Sequence, residues 1–150
     1  MAPLLNQLQS RGVDCALIHT GQHYDRNLSS VFFEELEIRQ PDISLGVGSG
    51  THAQQTAKVL EAIEPVLIDG NFDMLVVVGD VNSTMAATLA AAKIDLPVAH
   101  VEAGLRSFDR TMPEEINRIV TDSIADLLLV SEPAGVQNLR QEGHGEAKIR

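Results

Sequence analysis

Cysteine is almost missing from this chain of 150 residues; Cys15 is the only one. That excludes an internal disulfide and a metal site built from several thiolates. Its segment, Val13-Asp14-Cys15-Ala16-Leu17-Ile18, reads as a strand, so Cys15 is expected to be a small buried hydrophobe. Long apolar runs are missing too: none reaches the roughly 18 residues of a membrane-spanning helix. The opening Met1-Ala-Pro-Leu-Leu-Asn-Gln has neither the basic region nor the apolar stretch of a signal peptide, so a cytoplasmic location is expected and no membrane partner. Positive charge is scarce, with 11 Lys and Arg against 21 Asp and Glu and a formal net charge of −10. Such a surface repels nucleic-acid phosphates, and no basic run offsets it, so nucleic acid is not an expected partner. An anionic ligand would need local donors, such as helix N-termini or a few arginines.

Several motifs are absent as well. There is no H-E-x-x-H, no carboxylate or histidine spacing for a metal, no G-x-S-x-G elbow and no P-loop. Gly46-Val-Gly-Ser-Gly50 lacks the G-x-G-x-x-G spacing of a dinucleotide fingerprint and reads as a tight turn or a substrate loop. No cofactor is expected. Repeats, low-complexity tracts and linkers are missing, and the length suits one domain.

What is present is an alternation of helix and strand. Leu4, Leu5 and Leu8 predict a helix over 2–11, with Gly12 as its C-cap. A strand is expected over 13–19, a weaker helix over 27–37 and a short strand over 42–45. A long helix over 51–68 begins at Thr51 or Ser49 as cap. The continuous apolar run Met74 to Val78 reads as a strand buried on both faces. An Ala-rich helix over 83–93, capped by Ser83, precedes a strand over 97–101. Pro113 opens a helix with Glu114 and Glu115 in its first turn. A buried strand over 127–130, a helix over 132–141 and the start of a strand at 148–150 complete the pattern. Alternation at this spacing means βαβ units, an α/β fold built on a parallel sheet with helices on both faces. The chain opens inside a helix and stops at the start of a strand, so residues 1–150 are expected to be one partial domain.

In such sheets ligands bind beyond the carboxyl ends of the strands. Three distinctive segments fall there: Thr20-Gly-Gln-His23, Gly79-Asp-Val-Asn-Ser-Thr84 and His100-Val-Glu-Ala-Gly-Leu-Arg106. A fourth, Pro113-Glu-Glu-Ile-Asn-Arg118, opens a helix. Asp80 ends a buried strand and either orients a substrate hydroxyl or helps transfer a proton, or else caps the turn before the next helix. Glu102 lies among Val98, Ala99, Val101 and Gly104, where a carboxylate is costly unless paired with Arg106 or Arg118, or raised in pKa as a general acid or base suits. Adjacent Glu114 and Glu115 cannot face the same way on a helix, so at most one points into the crevice. His23 and His100 end strands, where a hydrogen-bonded structural role is the commoner one. Arg106 and Arg118 are available as anion partners. The residues alone support acid/base chemistry on a polar, phosphorylated substrate.

Those same four segments, with Gly46-Val-Gly-Ser-Gly-Thr-His52, resemble the non-hydrolysing UDP-N-acetylglucosamine 2-epimerases, collinearly over essentially the whole chain. The resemblance implies the first half of a two-domain glycosyltransferase-B-like fold, with the family's first strand, its Gly-Thr-Arg-Pro-Glu loop and the C-terminal domain not in this sequence. It implies that UDP-GlcNAc and UDP-ManNAc interconvert by loss of the C2 proton, expulsion of UDP to give 2-acetamidoglucal, and re-addition of UDP, without metal or NAD. The catalytic carboxylates of the family fall on Asp80, Glu102 and Glu114, and substrate contacts on Gln22, His23, Arg106, Asn117 and Arg118. A parent homodimer is implied, and this chain by itself is expected to be weakly stable or inactive. Other outcomes on the same scaffold are a hydrolysing epimerase, an epimerase of diacetamido-uronic-acid sugars, a glycosyltransferase and a non-catalytic nucleotide-sugar sensor.

Overall fold

A computed structural model of the chain describes residues 2–21 and 39–150. Gln22, His23 and the helix expected over 27–37 lie outside the described residues. The chain divides into two compact units, Met1–Gly50 and Thr51–Arg150.

In the first unit, helix α1 (Ala2–Ser10) is followed by strand β1 (Ile18–His19), which pairs in parallel with β2 (Ile43–Ser44). The expected strand over 13–19 is thus cut to two residues. Its partner explains the loss. Pro41 brings no N–H to the ladder, and the Asp42 carboxylate takes the Leu17 amide at 2.6 Å where a ladder bond would run. Val13 is left 46% exposed, and Cys15 is partly exposed rather than buried. Arg39 ties this segment down by donating to the Cys15 carbonyl while its other amino group meets Asp42 at 2.5 Å. The Gly-rich stretch runs on beside Thr20 and Gly21, with Val47 and Gly48 amides donating to the two carbonyls. Gly46 and Gly48 take positive φ there (62° and 69°), and no hydrogen-bonded turn forms over 45–50, against the tight turn that was one expectation.

The second unit carries the candidate site. Helix α2 (His52–Asp69) starts at a capping box in which Thr51 and Gln54 each satisfy the other's backbone amide. Strand β3 (Leu75–Val78) leads into α3 (Asn82–Lys93), β4 (Val98–Val101), α4 (Pro113–Ile124), β5 (Leu127–Leu129) and α5 (Pro133–Gln141). The three strands are parallel in the order β3-β4-β5. Ile149 forms a parallel bridge to Leu128, where the last strand was expected to start.

Alanines dominate the inner side of α3, so its backbone comes close to α2 and α4, both of which it packs against. Val59, Ile63 and Leu67 of α2 meet this surface, and Val98, Ala99 and Leu128 fill the sheet side of the core. Burying each Val or Leu side chain contributes about 1.5–3 kcal/mol.

Two expectations need correction. Met74 is 44% exposed and only Val77 of β3 is buried, since among the described residues β3 has a ladder partner on one side only. The strand buried along most of its length is the central one, β4, despite its polar His100. The N-cap of α3 is Val81, without a side-chain bond; Ser83 lies inside the helix, and Thr84 Oγ1 reaches back to the Val78 carbonyl at 2.9 Å.

Candidate active site

Both turns that carry candidate carboxylates leave the sheet through a left-handed residue. After β3 it is Gly79 (φ 70°), and after β4 it is Glu102 itself (φ 70°). Glycine takes that conformation freely, whereas for glutamate it costs about 1–2 kcal/mol. Strain of this kind persists only where neighbours enforce it. Here the Ala103 amide donates to Leu129 at 3.2 Å, the Gly104 amide to Asp122 at 3.0 Å, and Asn138 donates to the Gly104 carbonyl at 2.9 Å. The positive φ swings Glu102 out of the strand's alternation. Its side chain is therefore exposed, which corrects the expectation of a carboxylate desolvated among apolar residues. Nor does it pair with Arg106 or Arg118, since both are bonded elsewhere. One oxygen would lie 3.7 Å from a Cβ placed on Gly79, so the two turns adjoin.

Asp80 is held from α4 in two ways. Arg118 donates to its carboxylate, and Asn117 donates to its carbonyl at 2.8 Å. Asp80 therefore does not cap α3. Arg118 also lies 3.5 Å from Glu115. Asn117 continues to Asn82, which reaches Gln55 at 2.7 Å and His52 at 3.1 Å, joining the starts of α2, α3 and α4.

The two glutamates of α4 separate as adjacent helical positions must. Glu115 is 1% exposed and accepts from the amides of Ser107 and Phe108 at 2.9 and 3.0 Å, clamping the segment after β4. Glu114 is half-buried, and like Glu102 it has no hydrogen-bond or ion-pair partner among the described residues.

Arg106, expected to meet an anionic ligand, is turned inward. Its side chain is 1% exposed and contacts Asp122 at 2.7 Å, Glu142 at 2.6 Å and the Leu105 carbonyl at 2.7 Å. In this arrangement it braces the turn and offers no edge to a ligand. Asn117 and Arg118 likewise spend donors on Asp80.

Asp122 and Glu142 were not singled out by the sequence reading, and Glu115 only as the neighbour of Glu114, although a signal existed. Glu115, Arg118 and Asp122 recur at three- and four-residue intervals, the spacing of a helix's inner face, where apolar residues would be the default. Burial pushes the Asp122 carboxyl up, but the hydrogen bond and charge of His100, then those of Arg106, hold it below the ordinary range. Burial likewise raises Glu115, and the amide bonds from Ser107 and Phe108 outweigh it. Both carboxylates thus prefer to be charged in the folded state. Their stabilisation is complete above the unfolded values, about 3.9 for Asp and 4.3 for Glu, and is lost as pH falls through the lower folded ones. The share of the denaturation midpoint that these two carboxylates supply should therefore fall away below about pH 4. Asp122→Asn should flatten that drop in urea titrations at each pH, and an equally steep drop in the variant would remove Asp122 from the account.

Among the described residues no helix is long and apolar enough to cross a membrane, and no cluster of His, Cys, Asp and Glu is placed to hold a metal. Comparison with known proteins places these residues in context. Residues 6–150 match the profile of the family described as UDP-N-acetylglucosamine 2-epimerase. The chain is 48% identical over 149 residues to a UDP-N-acetylglucosamine 2-epimerase of Methanocaldococcus jannaschii, covering 99% of this chain and 41% of that protein. It is 49% identical over 127 residues to the UDP-2,3-diacetamido-2,3-dideoxy-D-glucuronate 2-epimerase of Pseudomonas aeruginosa, covering 85% of this chain and 36% of that one. The crystal structure of the M. jannaschii enzyme in complex with UDP-GlcNAc and UDP superposes with a TM-score of 0.95 over 99% of this chain and 41% of that chain. The chain thus spans about two-fifths of the length of the relatives it matches.

Proposed function

Because the chain belongs to the UDP-N-acetylglucosamine 2-epimerase family, whose profile matches almost its full length, we propose that it supplies the proton-transfer residues of a nucleotide-sugar 2-epimerase with the two-domain architecture of its relatives. The reaction interconverts UDP-GlcNAc and UDP-ManNAc. A base takes the C2 proton, the C–H electron pair forms the C1=C2 bond, and the C1–O bond breaks as UDP leaves with its electrons. On return a UDP oxygen attacks C1 while C2 receives a proton on the opposite face.

The observation that carries this reading is the contrast among the carboxylates. Inversion at C2 requires proton transfer on both faces of the sugar, hence more than one carrier. Glu102 and Glu114 lack partners among the described residues and are available to carry a proton. Asp80, held by Arg118, is suited to orient a hydroxyl or to balance charge as UDP departs. Gln22, His23 and the donors of Asn117 and Arg118 would bind substrate, with Arg106 bracing from behind. The family resemblance further supports a homodimer and a cytoplasmic location.

A second reading keeps the chemistry and changes the sugar. The P. aeruginosa relative, named for a diacetamido-glucuronate, is 49% identical over 127 residues, against 48% over 149 residues for the M. jannaschii protein.

The test is proton NMR of UDP-GlcNAc in D₂O with this chain extended to the relatives' length. Exchange of the C2 proton with appearance of UDP-ManNAc is the expected result. Free ManNAc and UDP would show hydrolysis instead. No exchange with UDP-GlcNAc but exchange with the diacetamido-uronate would establish the second reading, and exchange with neither would overturn both.

A further inference from the structure

One buried histidine links the two candidate turns; the role inferred for it rests on the epimerase reading and deepens it. His100 sits in β4 with its side chain fully buried, in register with Val77 on one neighbouring strand and Leu128 on the other. Both of those partners are buried and apolar. An apolar residue at this position would pack with them, and a buried polar cluster is often no more stabilising than apolar packing of similar volume. The histidine therefore calls for a reason other than packing.

Its contacts supply one. Nδ1 is 2.6 Å from Asp122 Oδ1, and Nε2 is 2.9 Å from the Gly79 carbonyl. A carboxylate and a carbonyl only accept, so the ring donates from both nitrogens. The other Asp122 oxygen accepts from the Gly104 amide at 3.0 Å and from Arg106 at 2.7 Å. Glu142 completes the group by pairing with Arg106. Gly79 directly precedes Asp80, and Gly104 comes two residues after Glu102. The Gly79 peptide is gripped on both sides, since its amide donates to the Val101 carbonyl at 3.1 Å.

We propose that His100, acting through Asp122, is a positioning residue that fixes the Asp80 turn against the Glu102 turn and so sets the spacing of the carboxylates that work on the sugar. It touches no substrate. Its effect is on geometry at the reacting carbon, where a misplacement of about 1 Å can cost roughly 100-fold in rate.

Two substitutions divide the bridge. His100→Asn keeps a donor near the Nδ1 position, facing Asp122, and removes the one to Gly79. His100→Gln keeps a donor near the Nε2 position, facing Gly79, and removes the one to Asp122. Both are made in the chain extended to the relatives' length, and kcat, KM and the melting temperature are recorded. Misplacement predicts that kcat falls by about 100-fold in His100→Asn while KM stays within about threefold, with partial recovery in His100→Gln. A loss that merely tracks the melting temperature in both variants, or a rise in KM at constant kcat, would overturn the proposal. The unsubstituted protein provides a readout that needs no turnover: nitrogen-15 NMR should show two hydrogen-bonded ring N–H protons on His100. A ring with one such proton would sink the proposal even if the protein epimerises. Two ring protons without epimerisation would instead count against the proposed reaction, leaving the bridge itself in place.

Discussion

Replacing Gly104 with alanine is expected to destabilise the protein by about 2–5 kcal/mol. Two costs combine. Gly104 has φ 79°, where a Cβ adds roughly 1–2 kcal/mol. A Cβ there would also lie 2.4 Å from the Gly135 carbonyl oxygen, which is backbone at the start of α5 and cannot turn aside as a flexible side chain does. Forcing an extra carbon into packed structure typically costs about 1–3 kcal/mol. Denaturant unfolding checks the value, and a loss below about 1 kcal/mol would mean that α5 shifts without penalty. Because Gly104 also anchors the turn that strains Glu102, a variant of the extended protein that still folds should lose more of the proposed C2-proton exchange than its loss of stability explains.

The adjacent glutamates of α4 should respond in opposite ways. Glu114→Gln removes no bond seen among the described residues, so stability should stay within about 0.5 kcal/mol. Turnover of the extended protein should nevertheless fall by about 10²- to 10⁴-fold if Glu114 carries a proton. Glu115→Ala deletes the acceptor of two amides and leaves Arg118 with Asp80 alone. Breaking such a buried charged contact costs about 3–5 kcal/mol. Unfolding curves and C2-proton exchange on both variants separate the roles. Equal destabilisation by the two substitutions, or full activity of Glu114→Gln, would undo the division.

Local rules made much of the fold legible. Thr51 was readable as a cap because a hydroxyl at that position has one obvious use, and Gln54 completes the box. The parallel α/β alternation in the second unit was readable from apolar runs separated by amphipathic ones. What local rules missed was set by position within the sheet. Met74 to Val78 is more apolar than Pro97 to Val101, yet the latter contains the central strand, and edge or centre depends on topology rather than composition. Likewise, the shortened β1 reflects Asp42 and Pro41 in the partner segment, which no window around Cys15 contains.

The candidate site divides in the same way. Asp80 and Glu102 stood out as carboxylates at strand ends, where ligands of such sheets bind, whereas Glu114 was singled out only by the family resemblance. The direction of Arg106 was not legible. A guanidinium beside a turn suits a ligand and a buried carboxylate equally well, and the carboxylates that capture it, Asp122 and Glu142, lie 16 and 36 positions away. Glu102's exposure was hidden for another reason: a strand's alternation ends where φ turns positive, and nothing in the wording Val-Glu-Ala-Gly says that the glutamate rather than the glycine turns first.

Helix α4 reaches every part of this arrangement. Glu115 holds the segment after β4, Asn117 and Arg118 hold Asp80, and Asp122 holds Gly104 and His100. The helix is in effect a ruler whose marks are side chains, and its scale is about 1.5 Å and 100° per residue. The segment between Phe108 and Met112, tied at its ends, can vary in length with little effect on these marks. An insertion or deletion of one residue between Glu115 and Asp122 would instead rotate the later anchors by about 100° relative to the earlier ones, so that the two turns could no longer be held together. Length variation in descendants of this sequence should therefore collect before Pro113 and be purged from the helix that Pro113 opens.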